Sequence, residues 1–356
     1  MDNSEFETHR TSQAYPWGLK RNVSLKEHTT MRTGGCAKYF AKACSRNDVR
    51  NAYTWAATHG ISVCTIGSGS NIICTDGGYE GLILKNSIWG FRVANENEGI
   101  LKISLGAGEM LDEVVRRTTD MGLSGIECLS LIPGTCGGAI MQNSGAYGQE
   151  ISDVLQSVDV YDVRRNDFIV LGRDACRMGY RTSIFKNGEP GRYVILGLQV
   201  RLRRGLTERP SYPSLSAVLG SDGPLSPGNV RSAVIRIRRS KLPDPAIIPN
   251  CGSFFVNPVL LYQELCPALR EAEPPLQKVR DGWCKIPAAW LIEQCGLKNH
   301  FDENLSFGTW RDQPLVIFGT GEGCCENLMK YSSLIVQTVR SKYGITLKRE
   351  PVLMGT

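Results

Sequence analysis

The chain reads as an α+β protein built from more than one domain. Three observations carry that expectation. Its 356 residues are enough for roughly two to three domains. From about residue 29, alternating apolar patterns and helical apolar stripes follow one another along the chain. A second region opens near residue 99, and the KLPDP run from Lys241, whose two prolines break a helix, is a good boundary candidate.

Taken in order, residues 1 to about 20 are a polar tail. NDVRNAYTWAATHG, from Asn47, predicts a helix with Val49, Ala52, Tyr53 and Ala56 on one face and Gly60 at its end. ISVCTIG is a short buried strand that leads into GSGSN, and IICTDGGYEGLIL is a strand, a glycine turn and a strand. LKISLG puts Leu101, Ile103 and Leu105 on one face of a strand. Gly108 to Met121 is expected to be helical, with Leu111, Val114, Val115 and Thr118 aligned. VLQSVDVYDV and YVILGLQVRL are strands. Ser226-Pro227 opens a helix whose stripe is Val230, Ala233, Val234 and Ile237. Beyond KLPDP come a helix at AAWLIEQC ended by Gly296, a strand at QPLVIFG and a long amphipathic helix from about Glu326 to Tyr343. ITLKREPVLMG closes the chain as strand.

Composition is that of an ordinary soluble globular protein, 42% hydrophobic and 21% charged. A net charge of +6, spread along the chain, suits anionic small molecules and lacks the dense basic stripe of a nucleic-acid binder. The thirteen cysteines are scattered without a CxxC pair, many inside apolar runs, as expected of buried thiols in a reducing cytoplasm. MDNSEFETHR is too polar for a signal peptide, and no apolar run reaches the roughly 18 residues of a membrane span. The four histidines form no ligand cluster, so no metal is expected.

The segment richest in chemistry is IPGTCGGAIMQNSGAYG, Ile132 to Gly148, with five glycines, several amides and hydroxyls, and no charge. Such glycine density lets backbone approach a flat or phosphorylated ligand. A second glycine run, GSGSN, occupies Gly67, Ser68, Gly69, Ser70 and Asn71. It is not a dinucleotide fingerprint. Ile72 stands where the third glycine belongs, the next residues are strand-like, and Lys85 and Asn86 stand where the ribose-binding acid would be. A tight surface turn or a phosphate cradle of another fold remains. Two such loops suggest one extended ligand touched from two subdomains.

GSGSN followed by IPGTCGGAIMQNSGAYG, with TMRTGG at 30–35 and LGAGEM at 105–110, resembles the UDP-N-acetylenolpyruvoylglucosamine reductase family. CRMGYRTSIFK, KLPDPAIIPNCGSFFVNP and KREPVLMG extend the resemblance over about residues 20–356. It implies a vanillyl-alcohol-oxidase-like (PCMH-type) FAD-binding fold. Residues 21–90 with 344–356 and residues 91–242 would be its two subdomains, and 243–343 a C-terminal α/β substrate-binding domain. FAD would be held without a covalent link by Gly67, Ser68, Gly69, Ser70, Asn71, Pro133, Gly134, Thr135, Gly138, Gln142, Asn143, Gly145, Ala146 and Tyr147, with Cys136 structural.

The resemblance also implies the reaction. NADPH reduces FAD, and the enolpyruvyl sugar nucleotide is then reduced in the same cleft to UDP-N-acetylmuramate, a peptidoglycan precursor. Arg181 and Glu350 would stabilise a dianionic enolate and Ser253 would protonate it, with Lys241 as support. Tyr212, on the loop that marks one subgroup of the family, would cover the diphosphate, and Arg238, Lys241, Asn257 and Gln313 would bind the substrate. The expected protein is cytoplasmic, with no nucleic-acid or membrane partner; its oligomeric state is not fixed by the sequence, and a monomer is the favoured state. The rival readings are an alcohol or lactone oxidase of the same flavin fold, and a non-catalytic sugar-nucleotide binder.

Overall fold

Strand pairing divides the chain into three sheeted regions. The computed structural model describes residues 18–205, 208–220 and 225–355, so most of the expected tail lies outside the described residues. Leu19 is buried and Lys20 opens the Lys20–Ser24 strand. That strand, Cys36–Ala43, Tyr79–Asn86 and Val63–Ile66 form the first sheet in that spatial order. The first pair is antiparallel and the other two are parallel. The Arg46–Thr58 helix covers it, burying Val49, Ala52 and Ala56. Ser45 starts that helix by accepting from the Asp48 N–H, while the Asp48 carboxylate returns to the Ser45 N–H, a reciprocal cap.

The second sheet is antiparallel. Its order is Asp167–Gly172, Leu155–Asp162, Tyr193–Arg204, Ile100–Gly106 and Phe91–Asn97. Leu101, Ile103 and Leu105 point into a core shared with Val114 and Val115 of the Leu111–Asp120 helix. That helix begins at Leu111, later than the sequence pattern suggested. Ser226 and Asn229 cap the Pro227–Lys241 helix reciprocally, and its apolar stripe packs on Cys128 and Leu215.

The third region packs the sheet Asn250–Ser253, Val316–Gly319, Phe307–Thr309, Phe301–Asp302 against the Cys325–Tyr343 helix. Its core also takes in Met31 and Ile73 from the first region. The terminal segment corrects one expectation. Only Val352–Met354 is strand, pairing in parallel with Ile72–Cys74, while Ile345 and Leu347 fill the third core. The folding of distant segments brings Ser70 against Pro133 and sets Glu350 between Phe254 and Arg181.

Among the described residues no helix is long and apolar enough to cross a membrane.

Candidate active site

The two glycine loops face each other across a cavity of about 400 Å³. The Asn71 side-chain amide donates to the Gln142 side-chain oxygen, and the Ser70 hydroxyl donates to the Pro133 carbonyl at 3.1 Å. Gly69 has φ +74, and a Cβ there would overlap the His28 carbonyl. Gly67 lies so close to the second loop that a Cβ would stand 2.5 Å from the Thr135 hydroxyl. These glycines therefore let two chain segments close on each other as well as on a ligand. The cavity is lined mostly by apolar groups, Ile66, Leu111, Phe185 and Ile195 among them. The Ser68 hydroxyl on its wall is buried and has no hydrogen-bond partner among the described residues. A buried hydroxyl left unpaired is costly, so it marks where a ligand acceptor belongs.

Of the residues expected to hold the cofactor, Gly67, Ser68, Gly69, Ser70, Asn71, Pro133, Gly134, Thr135, Gly138 and Gln142 line this cavity. Within the second loop, Cys136–Met141 is a short helix capped by Thr135. After it, Asn143 (φ 49) and Tyr147 (φ 50) are left-handed, and Ser144 between them still lines the cavity. Asn143, Gly145, Ala146 and Tyr147 are not among the residues that line it. Asn143 is buried and braces Glu150 and the Gly179 carbonyl at 2.7 and 3.1 Å, and Gly145–Ala146 pairs with Gln149–Glu150. Cys136 is buried, and burial pushes its thiol well above its ordinary range.

The stretch around Ser144 also holds Arg181. Its two terminal nitrogens donate to the Asn143 carbonyl at 3.3 Å and the Gly145 carbonyl at 2.9 Å, and its Nε lies 3.3 Å from Glu350 Oε1. Arg181 itself is left-handed, φ 54, an unfavourable backbone state of the kind that clusters at functional sites. Glu350 is only 8% exposed. Burial pushes its carboxyl above the usual range, and Arg181 and Lys186 oppose that rise without overcoming it. Lys186 lines the cavity and donates to the Glu350 carbonyl at 3.2 Å. It escaped sequence reasoning because nothing marks it except its place after the GYRTS segment. Phe185, Tyr193 and Ile195 escaped likewise, as ordinary apolar residues of the same stretch.

Glu350 is anchored next to Ser253, for its N–H donates to the Phe254 carbonyl at 3.0 Å. Ser253 is exposed at the end of its strand, paired with Val316. Gln313 sits on the turn before Val316 and accepts weakly from the Leu315 N–H at 3.5 Å. The Asn257 side-chain oxygen accepts from the Ala288 N–H at 2.8 Å, and Asn257 hydrogen-bonds Tyr180. Tyr212 stands at the start of the Pro213–Leu219 helix with its ring edge-on to Tyr147 at 5.4 Å. Arg238 donates to the Leu131 carbonyl at 3.3 Å, while its Nε is buried without a partner among the described residues. Burial lowers its pKa, with Tyr147 and Asp112 opposing. Lys241 is exposed at the end of the same helix, and no hydrogen bond joins it to Ser253 among the described residues. Arg231, by contrast, is taken up by Asp112 at 2.5 Å.

Residues 37–166 match the model of an FAD binding domain. Residues 244–354 match that of the UDP-N-acetylenolpyruvoylglucosamine reductase C-terminal domain. The chain is 37% identical over 339 residues to the UDP-N-acetylenolpyruvoylglucosamine reductase of Pseudomonas aeruginosa, covering 94% of this chain and 98% of that one. It is 35% identical over 348 residues to the one from Ralstonia nicotianae, covering 94% and 99%. The crystal structure of UDP-N-acetylenolpyruvylglucosamine reductase from Thermus caldophilus shares the fold, with a TM-score of 0.63 at 22% identity over 94% of this chain and 98% of that one.

Proposed function

The chain belongs to the UDP-N-acetylenolpyruvoylglucosamine reductase family, and from that premise we propose how its own residues carry the reaction. It is an NADPH-dependent flavoenzyme that reduces the enolpyruvyl group of UDP-N-acetylenolpyruvoylglucosamine to give UDP-N-acetylmuramate for peptidoglycan synthesis. The oxidase alternative, acting on an alcohol or lactone, is not what these relatives are named for.

The cavity fits FAD. Its floor is apolar, its rim is glycine backbone, and the unpaired Ser68 hydroxyl is a donor waiting for an acceptor. Gly67–Asn71 with Pro133, Gly134, Thr135, Gly138 and Gln142 would hold it. When bound, FAD carries hydride from NADPH to the terminal carbon of the enolpyruvyl group.

Hydride addition leaves negative charge on the neighbouring carbon, beside a carboxylate already charged. Each terminal nitrogen of Arg181 spends one N–H on a backbone carbonyl and keeps a second for that carboxylate, a geometry suited to a forked cation. Glu350, held toward its protonated form by burial, can donate a further hydrogen bond. Loss of one such donor typically costs about 3 kcal/mol of barrier. Ser253 gives its O–H proton to the carbanionic carbon, and the alkoxide left behind takes a proton from Lys241 by way of water. Tyr212, Arg238, Asn257 and Gln313 bind the sugar nucleotide, with the desolvated Arg238 taking a phosphate. We place the subdomains at 21–90 with 344–356 and at 91–242, the substrate domain at 243–343, and the enzyme in the cytoplasm as a monomer.

The observation that carries these assignments is the pairing of the part-buried Arg181 with the buried Glu350, tied through Lys186 to the cavity wall. The test is rapid mixing of Ser253→Ala enzyme. Flavin reduction by NADPH should proceed normally, and reoxidation by the enolpyruvyl sugar nucleotide should slow about 100-fold or more. Unimpaired reoxidation would remove Ser253 as the proton donor.

A further inference from the structure

We infer that residues 29–32 form a strap aligning the Ser253 strand with the cofactor loops, and that Arg32 is a positioning residue for proton delivery. The inference rests on the roles given above to Ser253 and Lys241. Backbone bonds run from the strap in both directions. The Thr30 N–H donates to the Gly69 carbonyl at 3.3 Å, and the Thr30 carbonyl accepts from the Asn250 N–H at 3.1 Å. One residue therefore touches both the first glycine loop and the first residue of the strand that ends in Ser253. Met31, 1% exposed, anchors the strap in the core that also holds Cys251 and Phe254.

Arg32 does the remaining work on the connection between Lys241 and Asn250. One terminal nitrogen donates to the Pro245 carbonyl at 3.2 Å and the Ala246 carbonyl at 2.5 Å. That connection contains Pro243, Pro245 and Pro249, which have no N–H to spend on holding it. Its carbonyls must find donors elsewhere, and Arg32 supplies one from a different region of the fold. Arg32 makes no ion pair among the described residues, and its backbone is left-handed, φ 56. The Asn250 side chain completes the brace. Its amide donates to the Ile248 carbonyl at 2.8 Å, and its oxygen accepts from the Gly252 N–H at 3.0 Å. Lys241 and Ser253 thus stand at the two ends of one connection whose middle is clamped by Arg32. A shift of about 1 Å in a catalytic group can cost on the order of 100-fold, so the clamp matters for the proton step and little for hydride transfer from NADPH.

Arg32→Met keeps most of the stem and removes the donors; Arg32→Lys keeps a charge and can serve one carbonyl. In Arg32→Met, flavin reduction by NADPH should stay within about twofold of wild type, and reoxidation by the enolpyruvyl sugar nucleotide should slow by about tenfold or more. Arg32→Lys should recover part of that loss. Added to Ser253→Ala, Arg32→Met should slow reoxidation by less than about twofold further, because both changes act on one step. Equal slowing of both half-reactions, or loss of bound FAD, would overturn the proposal by making Arg32 a general support of the fold. Unchanged reoxidation would overturn it by showing that the connection holds itself. If Ser253→Ala reoxidises normally, the proton-donor role fails separately. In that case selective slowing in Arg32→Met still supports the strap, and normal reoxidation still overturns it.

Discussion

Glu350 joins two opposing influences at one carboxyl. Burial raises its pKa, while Arg181 at 3.3 Å and Lys186 draw it down. A donor that must be protonated is lost as pH rises through that raised value, so the oxidative half-reaction should show an alkaline limb above the ordinary 4.5. In Glu350→Gln an amide donates at every pH, so the limb should vanish even though the rate is lower. Lys186→Met removes an opposing cation and should move the limb to higher pH. A pH series of reoxidation rates decides the matter, and a limb that neither substitution alters would refute the assignment. Arg181 and Glu350 were named from short motifs in the sequence. Lys186 was not, because a single lysine carries no spacing signal. Only the fold of residues 184–188 brings it under the Glu350 carbonyl.

Elements carry their own stability. The Leu155–Asp162 strand ends in a carboxylate with no solvent exposure. Burial would raise Asp162, but Arg192, through Nε at 3.2 Å and a terminal nitrogen at 2.9 Å, and the N–H groups of Arg165 and Arg164 outweigh it and lower the pKa. Because the folded value is depressed, this stabilisation is present above the ordinary 3.8 and is lost as pH falls through the folded value. Asp162→Asn should cost about 3 kcal/mol at neutral pH, with the gap to wild type narrowing in acid. Denaturant melts across pH measure it, and a constant gap would contradict the linkage. Strand alternation and helix stripes made most elements legible beforehand. The Cys136–Met141 helix was hidden because Gly137 and Gly138 are poor helix formers. The helix forms because Thr135 caps the Gly138 N–H at 3.2 Å and because Gly137 is pressed against Ala107, where a Cβ would come within 3.0 Å.

Across the whole molecule, a few polar groups tie regions far apart in sequence. Asp76, on the turn after the Ile72–Cys74 strand, accepts from the N–H groups of Cys325 and Glu326 at 2.8 and 2.9 Å. It thereby caps the Cys325–Tyr343 helix from another region, where a negative charge also suits the helix start. Asp76→Ala should lower unfolding free energy by about 1 kcal/mol, read as a lower denaturant midpoint with an unchanged slope. An unchanged midpoint would mean that solvent serves those N–H groups equally well.

The sequence by itself determined the periodic elements, the glycine-dense loops and the family to which the chain belongs, since these are local patterns or short motifs. Tertiary structure alone decided that the second loop serves two partners, with Pro133, Gly134, Thr135, Gln142 and Ser144 facing the cavity and the Asn143 and Gly145 carbonyls holding Arg181. It also decided that the last strand closes on Ile72–Cys74 while Glu350, just before it, is carried to Arg181. Periodicity records which face of an element is buried, but not which distant element buries it. That choice is made by sheet pairing and core packing, between residues as far apart as Arg181 and Glu350.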